Sequence, residues 1–138
     1  MSLTSLIYVS RMTEECGMEE LQNILKTSRE KNASADITGM LCYDPTFFLQ
    51  CLEGPKEVIL ALYENILADS RHTNVVRLDE RELQSRVFGD WRMAFLKASH
   101  IDANILRRFT SGSKFDPYAL DPDQAWELFC ALAELASE

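Results

Sequence analysis

The chain is poor in the groups on which most enzymes rely. Two histidines, His72 and His100, serve 138 residues, so a histidine-based triad has few candidates. No Gly-x-Ser-x-Gly elbow, Gly-x-x-x-x-Gly-Lys-Ser/Thr loop or Gly-x-Gly-x-x-Gly turn occurs, which removes the usual marks of serine hydrolases, P-loop nucleotide hydrolases and dinucleotide enzymes. Cysteines 16, 42, 51 and 130 form no Cys-x-x-Cys pair and have no histidine cluster nearby, which argues against zinc. No apolar run approaches a membrane span, and the N-terminus lacks the basic and apolar segments of a secretory signal. Basic residues are also short, at 14 against 22 acidic ones for a net charge of -8, which disfavours nonspecific binding to nucleic acid, a task that needs a basic face to displace counterions, and leaves room for a local basic site for one small anion. The expectation is a cytoplasmic protein with neither nucleic acid nor membrane as partner.

What remains is an ordinary globular composition, 46% hydrophobic and 26% charged, with length for one cored domain. Leu3 to Ser10 reads as a first strand. Leu21, Ile24, Leu25 and Ser28 recur at helical spacing, giving a helix that ends near Asn32. Ile37 to Tyr43 and the segment from Phe47 are strands joined by Asp44-Pro45-Thr46 as a hairpin. Gly54-Pro55 opens a second helix with proline in its first turn and a buried stripe of Val58, Ile59, Leu62, Tyr63, Ile66 and Leu67. Asn74 to Leu83 and Val87 to Leu96 read as two further strands. This order predicts an α+β, ferredoxin-like βαββαβ core with an additional strand, a five-stranded mixed sheet with both helices on one face.

Beyond Ser99 the pattern turns helical. Asp102 to Phe109 is a short helix, broken by Ser111-Gly112-Ser113. Asp121-Pro122-Asp123-Gln124 carries the cap residue, early proline and returning amide of a helix start, ahead of Ala125, Leu128, Phe129, Leu132 and Leu135. The division expected is 1–98 as one domain and 99–138 as a helical extension packed on the free sheet face.

Several polar residues stand where packing alone would not put them. Gln50 lies within the apolar run Phe47 to Leu52 and shares a face with Phe48 and Leu52, so its amide needs partners in a water-poor layer. Tyr8 shares a face with Leu6 and Ser10, and its phenol either bonds a nearby carbonyl or does chemistry. Asn32 is suited to a helix C-cap. Arg71 and His72 follow the second helix, where cations offset the helix dipole or hold a phosphate or hydroxyl. Trp91 and Met93 share one side of the last strand. Ile24 and Ile66 lie midway along the two helical stripes, as plain core or as the walls of a slot for a flat ring.

Together these residues resemble the BLUF family, small blue-light sensors that bind flavin noncovalently. The resemblance runs through Leu6-Ile7-Tyr8-Val9-Ser10, Asn32, Ile37-Thr38-Gly39-Met40-Leu41, Phe48-Leu49-Gln50-Cys51-Leu52-Glu53-Gly54, Asp69-Ser70-Arg71-His72 and Trp91-Arg92-Met93, from about Leu3 to Leu96. The tail is similar to that of short, single-domain members. The resemblance implies a flavin between the two helices, FAD by family expectation, with FMN or riboflavin as alternatives. Tyr8 would donate an electron and proton to the excited ring, and Gln50 would bridge the phenol and the ring edge and change its bonding after light. Asn32 would bond the pyrimidine side, Lys31 the ring or ribityl chain, and Asp69, Arg71 and His72 the ribityl or phosphate part. Ile24 and Ile66 would flank the ring. Met93 and Trp91 would pass the change toward the tail, and Ser10 sits where a residue bonding that tryptophan is found. An amide has both donor and acceptor atoms, so rotation or tautomerisation reverses what it offers.

The implied protein is a sensor and not an enzyme, signalling through altered association with a downstream protein and expected to form homo-oligomers. One rival is an acylphosphatase-like enzyme on the same fold, for which Arg11-Met12-Thr13-Glu14-Glu15 lacks the glycine-rich anion loop. A second rival is a cofactor-free interaction module whose polar residues are structural; flavin colour separates it from the sensor.

Overall fold

A computed structural model describes residues 3–13, 19–20, 22–23, 26–27, 30, 35–69, 72–89, 93–110 and 115–136. Five strands, β1 (Leu3–Met12), β2 (Thr38–Tyr43), β3 (Phe47–Pro55), β4 (His72–Leu83) and β5 (Ala94–Lys97), form one mixed sheet in the order β4-β1-β3-β2-β5. Neighbours are antiparallel except β2 and β5, which run parallel. The helices are α1 (Lys56–Leu67), α2 (Ala103–Phe109) and α3 (Pro122–Ala136), and the described residues between 19 and 30 are also helical. This is the ferredoxin-like α+β arrangement with a fifth strand.

The hairpin between β2 and β3 follows from one side chain. Asp44 Oδ1 accepts from the Thr46 amide at 2.6 Å, the Thr46 hydroxyl at 2.7 Å and the Phe47 amide at 2.9 Å, closing the turn before β3 begins. The two strands approach closely at Gly39, where a Cβ would stand 2.1 Å from the Cys51 carbonyl oxygen. Only glycine fits there.

Apolar cover on both faces explains why the strands read as nearly continuous hydrophobic text. One face presents Leu6, Tyr8, Leu41, Phe48 and Leu52 to Ile59 and Tyr63 of α1. The other presents Ile7, Val9, Met40, Cys42, Leu49 and Cys51 to Ile105 and Phe109 of α2 and to Ala125, Leu128, Phe129 and Leu132 of α3. Each large side chain buried this way contributes roughly 1.5–3 kcal/mol. The start of α3 is held by reciprocal bonds: the Gln124 amide donates to Asp121 Oδ1 at 2.8 Å, and the Asp121 amide donates to Gln124 Oε1 at 3.0 Å.

The structure corrects the expected elements in three places. The last strand covers only Ala94–Lys97, not Val87 to Leu96. Val87 and Phe88 look like strand formers, yet their amides donate to the Glu53 carboxylate at 2.8 and 3.1 Å instead of joining the ladder, and Gly89 follows with φ of 59°. Pro55 closes β3 and stands at the N-cap position of α1, one residue outside the helix. Leu67 leaves the buried stripe at 47% exposure, because the helix ends there and the apolar face closes with Ile66. Leu21, Ile24, Leu25, Ser28 and the Ser111–Ser113 break lie outside the described residues, as does the side chain of Leu135. The described helical residues Gln22, Asn23, Lys26, Thr27 and Glu30 are exposed, as the polar face of an amphipathic helix should be.

Burial shapes the thiols as well. Burial, assisted by the charge of Asp44, pushes the Cys42 thiol up to about 12. Cys51 moves the same way, chiefly through burial and against a hydrogen bond with Ser5. A thiol held protonated in the fold but ionised near 9 when unfolded makes the folded state bind more protons at high pH. Stability is therefore lost as pH climbs above about 9 toward 12. Alkylation at pH 8 followed by mass spectrometry should leave Cys42 and Cys51 unmodified in the native protein and modify both in denaturant.

Candidate functional site

The β1–β3 register sets Tyr8 directly opposite Gln50, both on the sheet face that meets α1. Tyr8 Oη donates to Gln50 Oε1 at 2.6 Å, and Gln50 Nε2 donates to Met93 Sδ at 3.3 Å. All three side chains are almost fully buried. Met93 reaches this position because Ala94, the next residue, pairs with Met40 and packs on the opposite face, which leaves Met93 on the α1 side. A phenol, an amide and a thioether thus form one chain from β1 through β3 to the threshold of β5.

Electrostatics keep the phenol neutral. Burial raises the ionisation of Tyr8 far above the ordinary phenol range, and the negative charge of Asp69 and the neighbouring Tyr63 push in the same direction. The Tyr8 and Tyr63 ring centroids lie 6.1 Å apart at an interplanar angle of 56°. On Tyr63, in turn, lies the Arg77 guanidinium, 5.6 Å from the ring centroid. The proton of Tyr8 therefore stays on its oxygen in the resting protein, aimed at the amide carbonyl.

Among the residues singled out from the sequence, Tyr8, Gln50 and Met93 are brought together. Ser10 is fully buried two residues along from Tyr8, opposite Phe48. Ile66 is half-buried in the same apolar cluster. Asp69 follows α1, its amide bonded to the Ile66 carbonyl at 3.1 Å, and its charge is felt at Tyr8. Ile24, Lys31, Asn32, Arg71 and Trp91 lie outside the described residues, as does the side chain of His72, whose backbone begins β4. Two residues emerge that sequence reasoning passed over. Tyr63 was legible only as stripe, though its hydroxyl distinguishes it from the aliphatic residues around it. Glu53 lies within the run Phe48 to Gly54, and its signal was a carboxylate in an otherwise apolar strand.

The donor set fits a flat heteroaromatic ring with apolar faces and a polar edge. In the contacts above Gln50 uses one of two amide protons and one of two carbonyl lone pairs, so it retains a donor and an acceptor for a third partner. Leu6, Leu41, Phe48, Leu52 and Ile59 line the surrounding layer with hydrocarbon. A flavin ring has this character.

The match to known proteins agrees. Residues 3–94 match the family model BLUF, described as sensors of blue-light using FAD. The photoactivated adenylate cyclase subunit beta of Euglena longa is 38% identical over 93 residues, 67% of this chain and 11% of that protein. The blue light- and temperature-regulated antirepressor BluF of Escherichia coli strain K12 is 33% identical over 87 residues, 63% of this chain and 22% of that protein. The chain therefore spans only about a tenth to a fifth of the length of these relatives. Among solved structures, the photo-activated state of BlsA superposes with a TM-score of 0.85 at 29% identity, covering 95% of this chain and 94% of the other. The dark-state structure of BlrB, a BLUF protein, gives 0.80 at 30% identity and covers 97% of each chain. With a family match over residues 3–94 and a fold shared almost end to end with these structures, the chain belongs to the BLUF family of flavin-binding blue-light sensors.

Proposed function

We propose that Tyr8 and Gln50 form a light-operated hydrogen-bond switch whose state is read by Met93, with FAD as the bound flavin. The observation that carries this reading is the continuous chain from the Tyr8 hydroxyl through the Gln50 amide to the Met93 sulfur. A bound flavin supplies the visible absorbance and, when excited, a strong oxidant beside the phenol. Everything else is done by the side chains. Tyr8 Oη donates to Gln50 Oε1 at 2.6 Å; when that oxygen gains a proton as Nε2 gives one up, or when the amide rotates about its Cγ–Cδ bond, the donor and acceptor ends of Gln50 exchange places. The Met93 thioether is a weak acceptor, so it is the link that gives way when the amide turns its oxygen toward it. An adjustment of Met93 is passed to β5 through one peptide bond.

The reading gives Asn32, Lys31, Asp69, Arg71 and His72 the polar parts of the flavin, and Ile24 and Ile66 its two faces. Ser10 and Trp91 belong with the network beside Tyr8 and Met93. Residues 1–98 act as the sensor and 99–138 as an extension that carries its state outward. The output is a contact with a downstream protein or with further copies of the chain, not catalysis by these residues; the name antirepressor, borne by one relative, is in keeping with such an output. A cytoplasmic setting suits Cys42 and Cys51, which pack as reduced thiols. One spectrum tests the whole reading. Blue light should move the flavin absorption of the purified protein reversibly to longer wavelength, and an unmoved or irreversibly bleached spectrum would overturn it.

A further inference from the structure

We propose that Tyr63 and Arg77 are positioning residues for the Tyr8 phenol, with Arg77 brought onto the Tyr8 side of the sheet by a bulge in β4. The inference rests on the switch reading above and concerns what holds its donor in place.

The bulge is written in the strand register. Leu6 pairs with Glu80 and Ile7 with Asp79, so a regular ladder would set Tyr8 opposite Leu78. The register slips there instead, and Tyr8 pairs with Arg77. Directly opposite residues share a face of the sheet, and an extra residue in one strand turns over what lies beyond it. Leu78 accordingly packs into the core on the α2 and α3 side, while Arg77 joins the face that carries Tyr8. A second sign is the bond from Arg77 Nη1 to Glu80 Oε1 at 2.8 Å. Residues three apart in an unbroken strand point to opposite faces, and these two meet because the bulge lies between them.

In that place Arg77 does what a leucine could not. Its guanidinium lies over the Tyr63 ring, 5.6 Å from the centroid, close enough for attraction between the cation and the ring. The almost fully buried Tyr63 ring stands 6.1 Å from that of Tyr8, tilted at 56°, within the range over which aromatic rings attract. Both contacts are made by the ring of Tyr63. The ion pair with Glu80 restrains the guanidinium, so the stack Arg77, Tyr63, Tyr8 starts from a fixed cation. Gln50 aims the phenol oxygen through the 2.6 Å bond, and the stack limits the tilt of the ring behind it. Electron donation falls steeply with separation, so a ring free to rock donates unevenly. The bulge thus gives the donor a brace.

The test uses the full, flavin-loaded chain and two readouts. One is the flip rate of the Tyr8 ring, from NMR exchange on ring-labelled protein in darkness. The other is the yield of the blue-light red shift per absorbed photon. Tyr63→Leu should speed the flips about tenfold and lower the yield about threefold, with the shifted wavelength itself unchanged. Tyr63→Phe, the conservative variant, should rescue both to within about 1.5-fold of the wild type because the ring remains. Arg77→Met, at a half-exposed side chain, should speed the flips and lower the yield by about twofold. Combined with Tyr63→Leu it should add nothing, since it acts through Tyr63. Wild-type flips in Arg77→Met overturn the inference, and this arm decides it even if Tyr63→Leu fails to fold or to hold flavin. So do additive effects in the double variant, or a Tyr63→Phe protein as impaired as Tyr63→Leu. A wild type without any red shift overturns the switch reading instead, while the flip rates measured in darkness still decide whether Tyr63 and Arg77 hold the Tyr8 ring.

Discussion

Tyr8→Phe is expected to give a yellow, flavin-loaded protein whose absorption no longer shifts under blue light. The substitution removes one oxygen and leaves the ring that packs on Tyr63 and fills the α1 side of the sheet. Its cost is the 2.6 Å bond to Gln50 Oε1, about 1–3 kcal/mol for a buried group deprived of a partner. A domain stable by roughly 5–15 kcal/mol survives that, so folding and flavin content should persist. What disappears is the proton held against the amide carbonyl, and with it the means of reversing Gln50. Spectra before and after illumination, with flavin quantified after denaturation, give the answer. A normal light-induced shift in this variant would remove Tyr8 from the mechanism.

Gln50→Leu should abolish the shift by a different route. Leucine is close to glutamine in bulk and suits a strand face already bearing Phe48 and Leu52, next to Leu41 on β2. The change removes the acceptor for the phenol and the donor to Met93 Sδ together, so β1 and β5 are no longer joined through a polar chain. Tyr8 remains present with its proton. Transient photochemistry at the phenol without a lasting red shift would therefore locate the lasting change in the amide. If Gln50→Leu shifts and recovers as the wild type does, the amide is not the switch.

Much of this arrangement was legible in the chain because strand periodicity is strict. Alternation set Gln50 with Phe48 and Leu52 against Leu49 and Cys51, and Tyr8 with Leu6, and the structure has them so; that the two strands turn these residues to one face came from the resemblance alone. The end of the sheet was less legible for a reason that lies far away in sequence. Val87 and Phe88 have the side chains of a strand, but a carboxylate 34 and 35 residues earlier takes their amides out of the ladder. No local pattern records that. The same event sets where β5 begins, and so which residue precedes it at the amide. From the sequence Met93 and Trp91 were equal candidates for that place; the structure describes Met93 there, and Trp91 lies outside the described residues. Tyr63 escaped notice because a helical stripe predicts burial without saying which ring touches which.

The margin of the sheet formed by β4 carries a further consequence. Its register against β1 slips twice, between Ile7 and Tyr8 and between Val9 and Arg11, and Asn74 adopts φ of 52°. Along the same strand Arg77, Asp79, Glu80, Arg81 and Glu82 place charge at close intervals. A strand from a neighbouring molecule would have to copy both slips and accept those charges to zip onto it. Crowded chains thus meet a poor template at this border, and the polar switch, which begins on the adjoining β1, is protected from the fibrillar growth that a long, regular, apolar edge invites.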